Sequence, residues 1–441
     1  MLIETQNKEL ICDNLTRSAD GELCLAGQPL SALAREYGTP LYLYDEAKIR
    51  EKCRTYKKAV ADAFGEKGRV MYASKAASFK RLYEIMREEE MSIDVVSVGE
   101  IYTAALADFP LESAMFHSNN KTDDDIAYAM DLGVGCFVVD NVEELVSIEV
   151  LAEEREIVQP ILLRITPGID PHTYAQVATG KVDSKFGSAI ETGQALDITR
   201  AALTLPHINL RGFHCHVGSQ IFDPEVYLKT SKVMLDFVKE VSDRLGFVAS
   251  EVDLGGGLGV RYIADQPILD IYSTIREVGS FITSYCDELG IEMPMISFEP
   301  GRSIVADAGL TLYTVGTVKR IPGYKSYVSV DGGMTDNPRY ALYGSPYTVI
   351  PVSRPVDEDS SPVSVVGRCC ESGDILQENV PMPNGIKRGE LLACLTTGAY
   401  HYSMASNYNR IPRPPIVMLR DGESYLAVMR ETPEHVAVLD I

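Results

Sequence analysis

The chain has 441 residues, with 41 Lys and Arg against 63 Asp and Glu and a formal net charge of −22. That balance excludes a polybasic nucleic-acid binder, and a composition of 45% hydrophobic and 24% charged residues excludes a disordered or fibrous chain. The start, Met1 to Asn14, carries Glu4, Lys8, Glu9 and Asp13, which suits neither a secretory nor a membrane-spanning segment.

The first 40 or so residues are short and turn-rich and end in PLYLYD, a strand or bridge for a later domain. From about position 70 to 300, short β-rich runs then alternate with amphipathic stretches of helical period, the texture of repeated βα units. The expected strands are Arg69–Ser74, Ile93–Ser97, Ala114–Ser118, Cys136–Asp140, Ile161–Ile165, Leu210–His216, Glu251–Gly255 and Met295–Glu299, with a helix expected after each. Eight such units match a (β/α)8 TIM-type barrel. After Gly301 the texture becomes strand-like runs broken by Gly and Pro: LTLYTVGTVKRI, YVSVDGG, SPVSVVGR, ELLACLTTGAY, PPIVMLRDG and ESYLAVMR. The expected fold is therefore α/β plus all-β. A barrel spans residues 45–305, and a β-rich, barrel- or sandwich-like domain is built from 1–44 and 306–441. VDEDSSP (Val356–Pro362) reads as an exposed acidic loop. The nine cysteines show no CxxC pair or regular spacing, so neither a disulfide framework nor a metal site is expected, and a reducing, cytoplasmic setting fits.

Barrel chemistry sits at the C-terminal ends of the strands, and these ends are polar in an organised way. They present Lys75, Asp94 with Ser97, Asn119 with Asn120, Asp140, Arg164, His216, the run Gly255-Gly256-Gly257, and Glu299 followed by Gly301 and Arg302. A glycine run after a strand lets backbone N–H groups close on an anion; a tight βα turn alone explains it equally well. The guanidinium and glycine of EPGR, after strand eight, favour a phosphate, because barrel phosphate sites use the last two loops. A phosphate beside a strand-end lysine, an acid and a histidine points to pyridoxal 5'-phosphate. Lys75 would join its aldehyde, with burial depressing the amine's pKa, and Glu299 would pair with the ring nitrogen. In FHCH the period of two puts His214 and His216 on one face; His216, nearest the mouth and in HVGS with Ser219, would lie against the ring.

These residues resemble, over nearly the whole chain, the fold-type III pyridoxal phosphate-dependent decarboxylases. The matching motifs are YASKA, DVVSVGE, SNNKT, TGKVDSKFG, GFHCHVGSQ, DLGGGLG, FEPGR, VDGGMTDNPRYALYG, CCESGD and GAYHYSMASNYN. The resemblance implies decarboxylation of meso-2,6-diaminopimelate to L-lysine by a homodimer whose sites take residues from both subunits. It makes Lys75 the covalent lysine, Asp94 its neighbour and His216 the stacking ring. Ser219, Gly255, Gly256, Gly257, Gly301 and Arg302 would hold phosphate, and Tyr400 would touch phosphate and substrate. Cys370 would be the proton donor from the other subunit. Arg302, Arg339 and Tyr343 would grip a distal carboxylate and Glu371 a distal ammonium, a pairing that a substrate with an amino-acid head at each end requires and for which a bidentate guanidinium is suited. Ala77, Val98, Tyr340 and Cys369 depart from the family pattern. The alternatives are a related decarboxylase acting on another diamino acid (ornithine, lysine or carboxynorspermidine) or on a carrier-linked acid, an amino-acid racemase, and a non-catalytic carrier of the cofactor. The segment Thr179–Gly187 reads equally as a lid or a plain loop.

Overall fold

A computed structural model describes residues 10–169, 184–356 and 359–441. The chain divides into two compact units: 52–259 with 269–303, and 1–51 with 260–268 and 304–441.

The first unit is a closed parallel barrel. Its strands, numbered one to eight here, are Gly68–Ala73, Ser92–Val95, Ala114–Phe116, Cys136–Val139, Gln159–Thr166, Ile208–His214, Glu251–Asp253 and Met295–Phe298. Each pairs with the next, and strand eight returns to strand one through Phe298↔Val70, which removes every open edge. All eight expected strands are present, but strand six stops at His214 rather than His216, strand seven at Asp253 and strand eight at Phe298. The ladder ends where the chain must turn, so His216, the glycine run and Glu299 stand just past the strand ends. Helices Lys80–Glu88, Val98–Leu106, Asp123–Asp131, Val142–Glu154, Gln194–Ala202, Glu225–Leu245 and Ile271–Leu289 follow strands one to seven. Their starts are set by side-chain caps: Ser97 accepts from the Glu100 N–H, Asn141 from Glu144, and Thr122 closes a capping box with Asp125 ahead of the Asp123–Asp125 acidic turn. The helix expected after strand eight is only the four-residue turn Arg302–Val305; a 19-residue helix, Glu46–Phe64, instead precedes strand one.

Period two sorts the barrel strands by chemistry. Met71, Met115, Cys136, Val138 and Leu162 form an apolar cluster. Glu251, at the opposite end of the barrel from the glycine run, is fully buried between Arg69 at 3.2 Å and Arg211 at 2.8 Å and accepts from Ser297 at 2.8 Å. Those pairs satisfy a charge that burial alone would not permit.

The second unit is built on the 12-residue strand Gly309–Arg320. Leu41–Asp45, the PLYLYD run, lies antiparallel to it and parallel to Ile416–Arg420, so the N-terminal segment is integral to this sheet. Ser326–Val330, Ser360–Val366, Leu391–Leu395 and Glu423–Val428 fall in the expected runs. Ile375–Pro383 and Val349–Pro351 are additional strands. The former carries Asn379 at φ +56°, Pro381 and Pro383, breakers that disguise it, and it pairs along one side with Ser360–Val366. The VDEDSSP loop lies partly outside the described residues.

Candidate active site

At the mouth of the barrel, Lys75 sits in a single 3-10 turn directly after strand one. Its Nζ lies 3.9 Å from Oδ2 of Asp94, which strand two buries completely. The expectation of a buried lysine fails: the Lys75 side chain is 40% exposed, because it rises from the strand end into the mouth. Asp94 bears the burial instead. Neither carboxylate oxygen accepts a hydrogen bond from a described residue, and burial, opposed by His117 and Lys75, pushes its pKa up to about 6. Glu100 is likewise pushed by burial to about 7, although it accepts the Val96 N–H at 2.7 Å.

Glu299 is wedged between two imidazoles. His117 Nε2 lies 2.7 Å from one oxygen and His214 Nε2 3.2 Å from the other. Burial pushes the Glu299 carboxyl up, but His117 and then His214 outweigh it and hold the group well below the ordinary range. Burial, followed by Lys75 and Arg164, holds His216 in its neutral form.

The glycine run fits an anion. A Cβ on Gly256 would stand 2.1 Å from the Glu299 carbonyl oxygen, and Gly257, at φ +118°, is in a backbone region that favours glycine. The carbonyls of Gly255, Gly256 and Gly257 accept from Glu299 N–H, the Tyr227 hydroxyl and Ile221 N–H. The amides of Gly256 and Gly257 donate to no described group, which leaves two N–H donors side by side. Arg302, 6% exposed, donates from Nε to Ser219 Oγ at 3.1 Å, so two of the expected phosphate residues meet. Gly301 packs on Ala73 with no room for a side chain. Free amides, a placed guanidinium, a lysine beside a buried carboxylate and an ionised acid between imidazoles together suit pyridoxal phosphate.

In the β-rich unit, Arg339 is 6% exposed and its guanidinium is sandwiched 4.9 Å from the Tyr343 ring and 5.1 Å from the Tyr400 ring. Its Nε is buried without a hydrogen bond, and among the described residues no carboxylate lies within salt-bridge distance. Tyr400 is held at φ +61°, a strained backbone for a bulky residue. Cys370 and Glu371 lie on a turn held by bonds that include Cys369 N–H to Asp374 at 2.7 Å, Cys370 N–H to Asn409 Oδ1 at 2.8 Å, and Gly373 N–H to Glu371 at 3.1 Å. Asp374 also accepts the Met334 N–H at 2.6 Å, tying this turn to the VDGG loop. The Cys370 thiol is exposed; burial pushes its neighbour Cys369 to about 11.

Sequence reasoning gave no role to His117, Asp253, Glu100 or Asp374, and left His214 as the face-mate of His216. The HxH spacing was the available signal for His214; the others are recognisable only from what the barrel and loops bring beside them. Residues 179–183 of the expected lid lie outside the described residues.

Residues 46–306 match the family described as pyridoxal-dependent decarboxylase, pyridoxal binding domain. The chain belongs to that family of pyridoxal phosphate-dependent decarboxylases. A diaminopimelate decarboxylase of Bacillus subtilis (strain 168) is 44% identical over 96% of this chain and 95% of its own, and one of Staphylococcus aureus (strain COL) is 42% identical over 96% and 98%. A crystal structure of a diaminopimelate decarboxylase from M. jannaschii in co-complex with L-lysine is similar with a TM-score of 0.89 and 32% identity, over 97% of this chain and 98% of that one. Within the family, the chain thus falls among the diaminopimelate decarboxylases. Among the described residues no helix is long and apolar enough to cross a membrane.

Proposed function

We propose that the chain decarboxylates meso-2,6-diaminopimelate to L-lysine and CO2, with each residue acting as follows. When bound, pyridoxal phosphate supplies an electron-poor ring that accepts the electron pair left as CO2 departs. Lys75 holds its amine at the mouth, where the Asp94 carboxylate stabilises the ammonium form. Glu299 would hold a negative charge for the ring nitrogen, and His216 would support the ring. The Gly256 and Gly257 amides, with Gly255, Gly301, Ser219, Arg302 and Tyr400, bind the phosphate. The carbon–carboxylate bond of the substrate breaks, and the partner's Cys370, or Lys75 acting as an acid, delivers the proton to that carbon. The enzyme is a cytoplasmic homodimer of two-domain chains, 45–305 and 1–44 with 306–441, a setting that suits nine free thiols.

The observation that carries the substrate assignment is Arg339, buried between two tyrosines without a carboxylate partner. An arginine desolvated in that way calls for a planar anion from outside. With Tyr343 and Arg302 it receives the distal carboxylate, and Glu371 the distal ammonium. Ornithine has only an amine there. The test is turnover of meso-diaminopimelate against ornithine and L-lysine, with CO2 and L-lysine measured for the native enzyme and Lys75→Ala. Only the native enzyme with meso-diaminopimelate should produce both, and near-normal turnover by Lys75→Ala would sink the assignment.

A further inference from the structure

Glu299 is more elaborately supported than a single carboxylate requires. His117 follows strand three, His214 ends strand six and Glu299 follows strand eight, so the closed barrel brings together groups far apart in sequence. The imidazoles meet edge to face, with centroids 4.8 Å apart at 70°; His214 Nε2 hydrogen-bonds one Glu299 oxygen at 3.2 Å, while His117 Nε2 stands 2.7 Å from the other, off the line of a hydrogen bond. All three residues are 5% exposed or less. The other nitrogen of His214, Nδ1, is buried with no hydrogen-bond partner. A histidine held only for core packing normally satisfies its buried polar atoms; this one directs its single donor to Glu299 and leaves its other nitrogen unsatisfied.

The charges are consistent with that arrangement. Burial holds both imidazoles neutral, so each brings one N–H. Asp253, fully buried on strand seven, is pushed well up by burial and then by Glu299.

We propose that His117 and His214 are positioning residues that fix the Glu299 carboxylate, one imidazole beside each oxygen, as a preorganised anion facing the cofactor's ring nitrogen. The proposal rests on the reading of Glu299 as the partner of that nitrogen. The same three residues have ligand atoms within 4.8 Å of one another, a spacing that would also admit a metal ion; the hydrogen-bonded assignment requires none.

The test compares the native holoenzyme with His117→Leu, His214→Leu, His117→Gln and His214→Gln. Glutamine places an amide N–H near the position of Nε2, while leucine removes the donor. The readout is the ratio of affinities for pyridoxal phosphate and for its analogue with CH in place of the ring nitrogen, together with kcat and KM for each correctly folded variant. Loss of one hydrogen bond to a charged group should lower the affinity ratio about 10- to 100-fold in the leucine variants, with the loss falling on kcat rather than KM, and glutamine should restore most of it. Equal weakening for both cofactors would mean a merely structural role and overturn the proposal. So would stoichiometric metal in the purified enzyme that chelation removes together with activity. If the native enzyme itself does not distinguish the two cofactors, the reading of Glu299 fails and the proposal fails with it; if it does and the leucine variants keep the preference, only the proposal fails.

Discussion

Replacing Asp94 by Asn should make the cofactor-free protein more stable while removing the anion beside Lys75. Asp94 is completely buried and neither oxygen accepts a hydrogen bond from a described residue, so its charged form is favoured mainly by His117 and by Lys75 at 3.9 Å. Its pKa is raised from 3.8 to about 6. An acid whose folded pKa lies above its unfolded value binds more protons when folded, so native stability falls as pH rises from about 3.8 to 6 and stays lower above that. A displacement of about 2 units corresponds to about 3 kcal/mol at pH 8. Asparagine cannot ionise, and it keeps the shape of the side chain. Urea unfolding of the native and Asp94→Asn proteins, stripped of cofactor, at pH 4 and pH 8 reads the effect of Asp94 together with that of the groups it faces, His117, Lys75 and Glu299. The variant should gain about 3 kcal/mol at pH 8 and almost nothing at pH 4. A variant less stable at pH 8, or a difference independent of pH, would refute the reasoning.

Lys121 donates to Glu144 and to the Val138 carbonyl, both at 2.7 Å, with the two side chains 0% and 2% exposed. Lys121→Met strands the buried Glu144 and should cost about 3–5 kcal/mol in urea unfolding, with Lys121→Met/Glu144→Leu recovering most of it. Arg339→Leu should raise KM for meso-diaminopimelate about 10- to 100-fold, the value of one hydrogen bond to a charged group, with a smaller effect on kcat. Glu371→Gln should weaken meso-diaminopimelate more than a substrate lacking the distal ammonium, as read from kcat/KM for the two.

The barrel was readable because each unit carries two periods, 2 in the strand and 3.6 in the helix, and because caps such as Ser97 and Asn141 mark where one gives way to the other. The mouth residues Lys75, Asp94, His216 and the glycine run were readable for the same reason: they fall at the switch. Burial was not. It depends on where neighbouring strands stop, which is why Lys75, expected to be buried, is 40% exposed while the neighbouring Asp94 is fully buried. The Glu299 cluster was hidden because its members come from three strands and no local pattern links His117 to Glu299. The strand Ile375–Pro383 was obscured by prolines that an edge tolerates. The pairing of Arg339 with Tyr343 is local, four residues on one helical turn, whereas Tyr400 reaches it only through the fold.

The most direct test of the central claim is to reduce the purified holoenzyme with borohydride, digest it and locate the pyridoxyl group by mass spectrometry. One stoichiometric modification is expected, on Lys75. A pyridoxyl group on another lysine, or a chain that carries none, would contradict it.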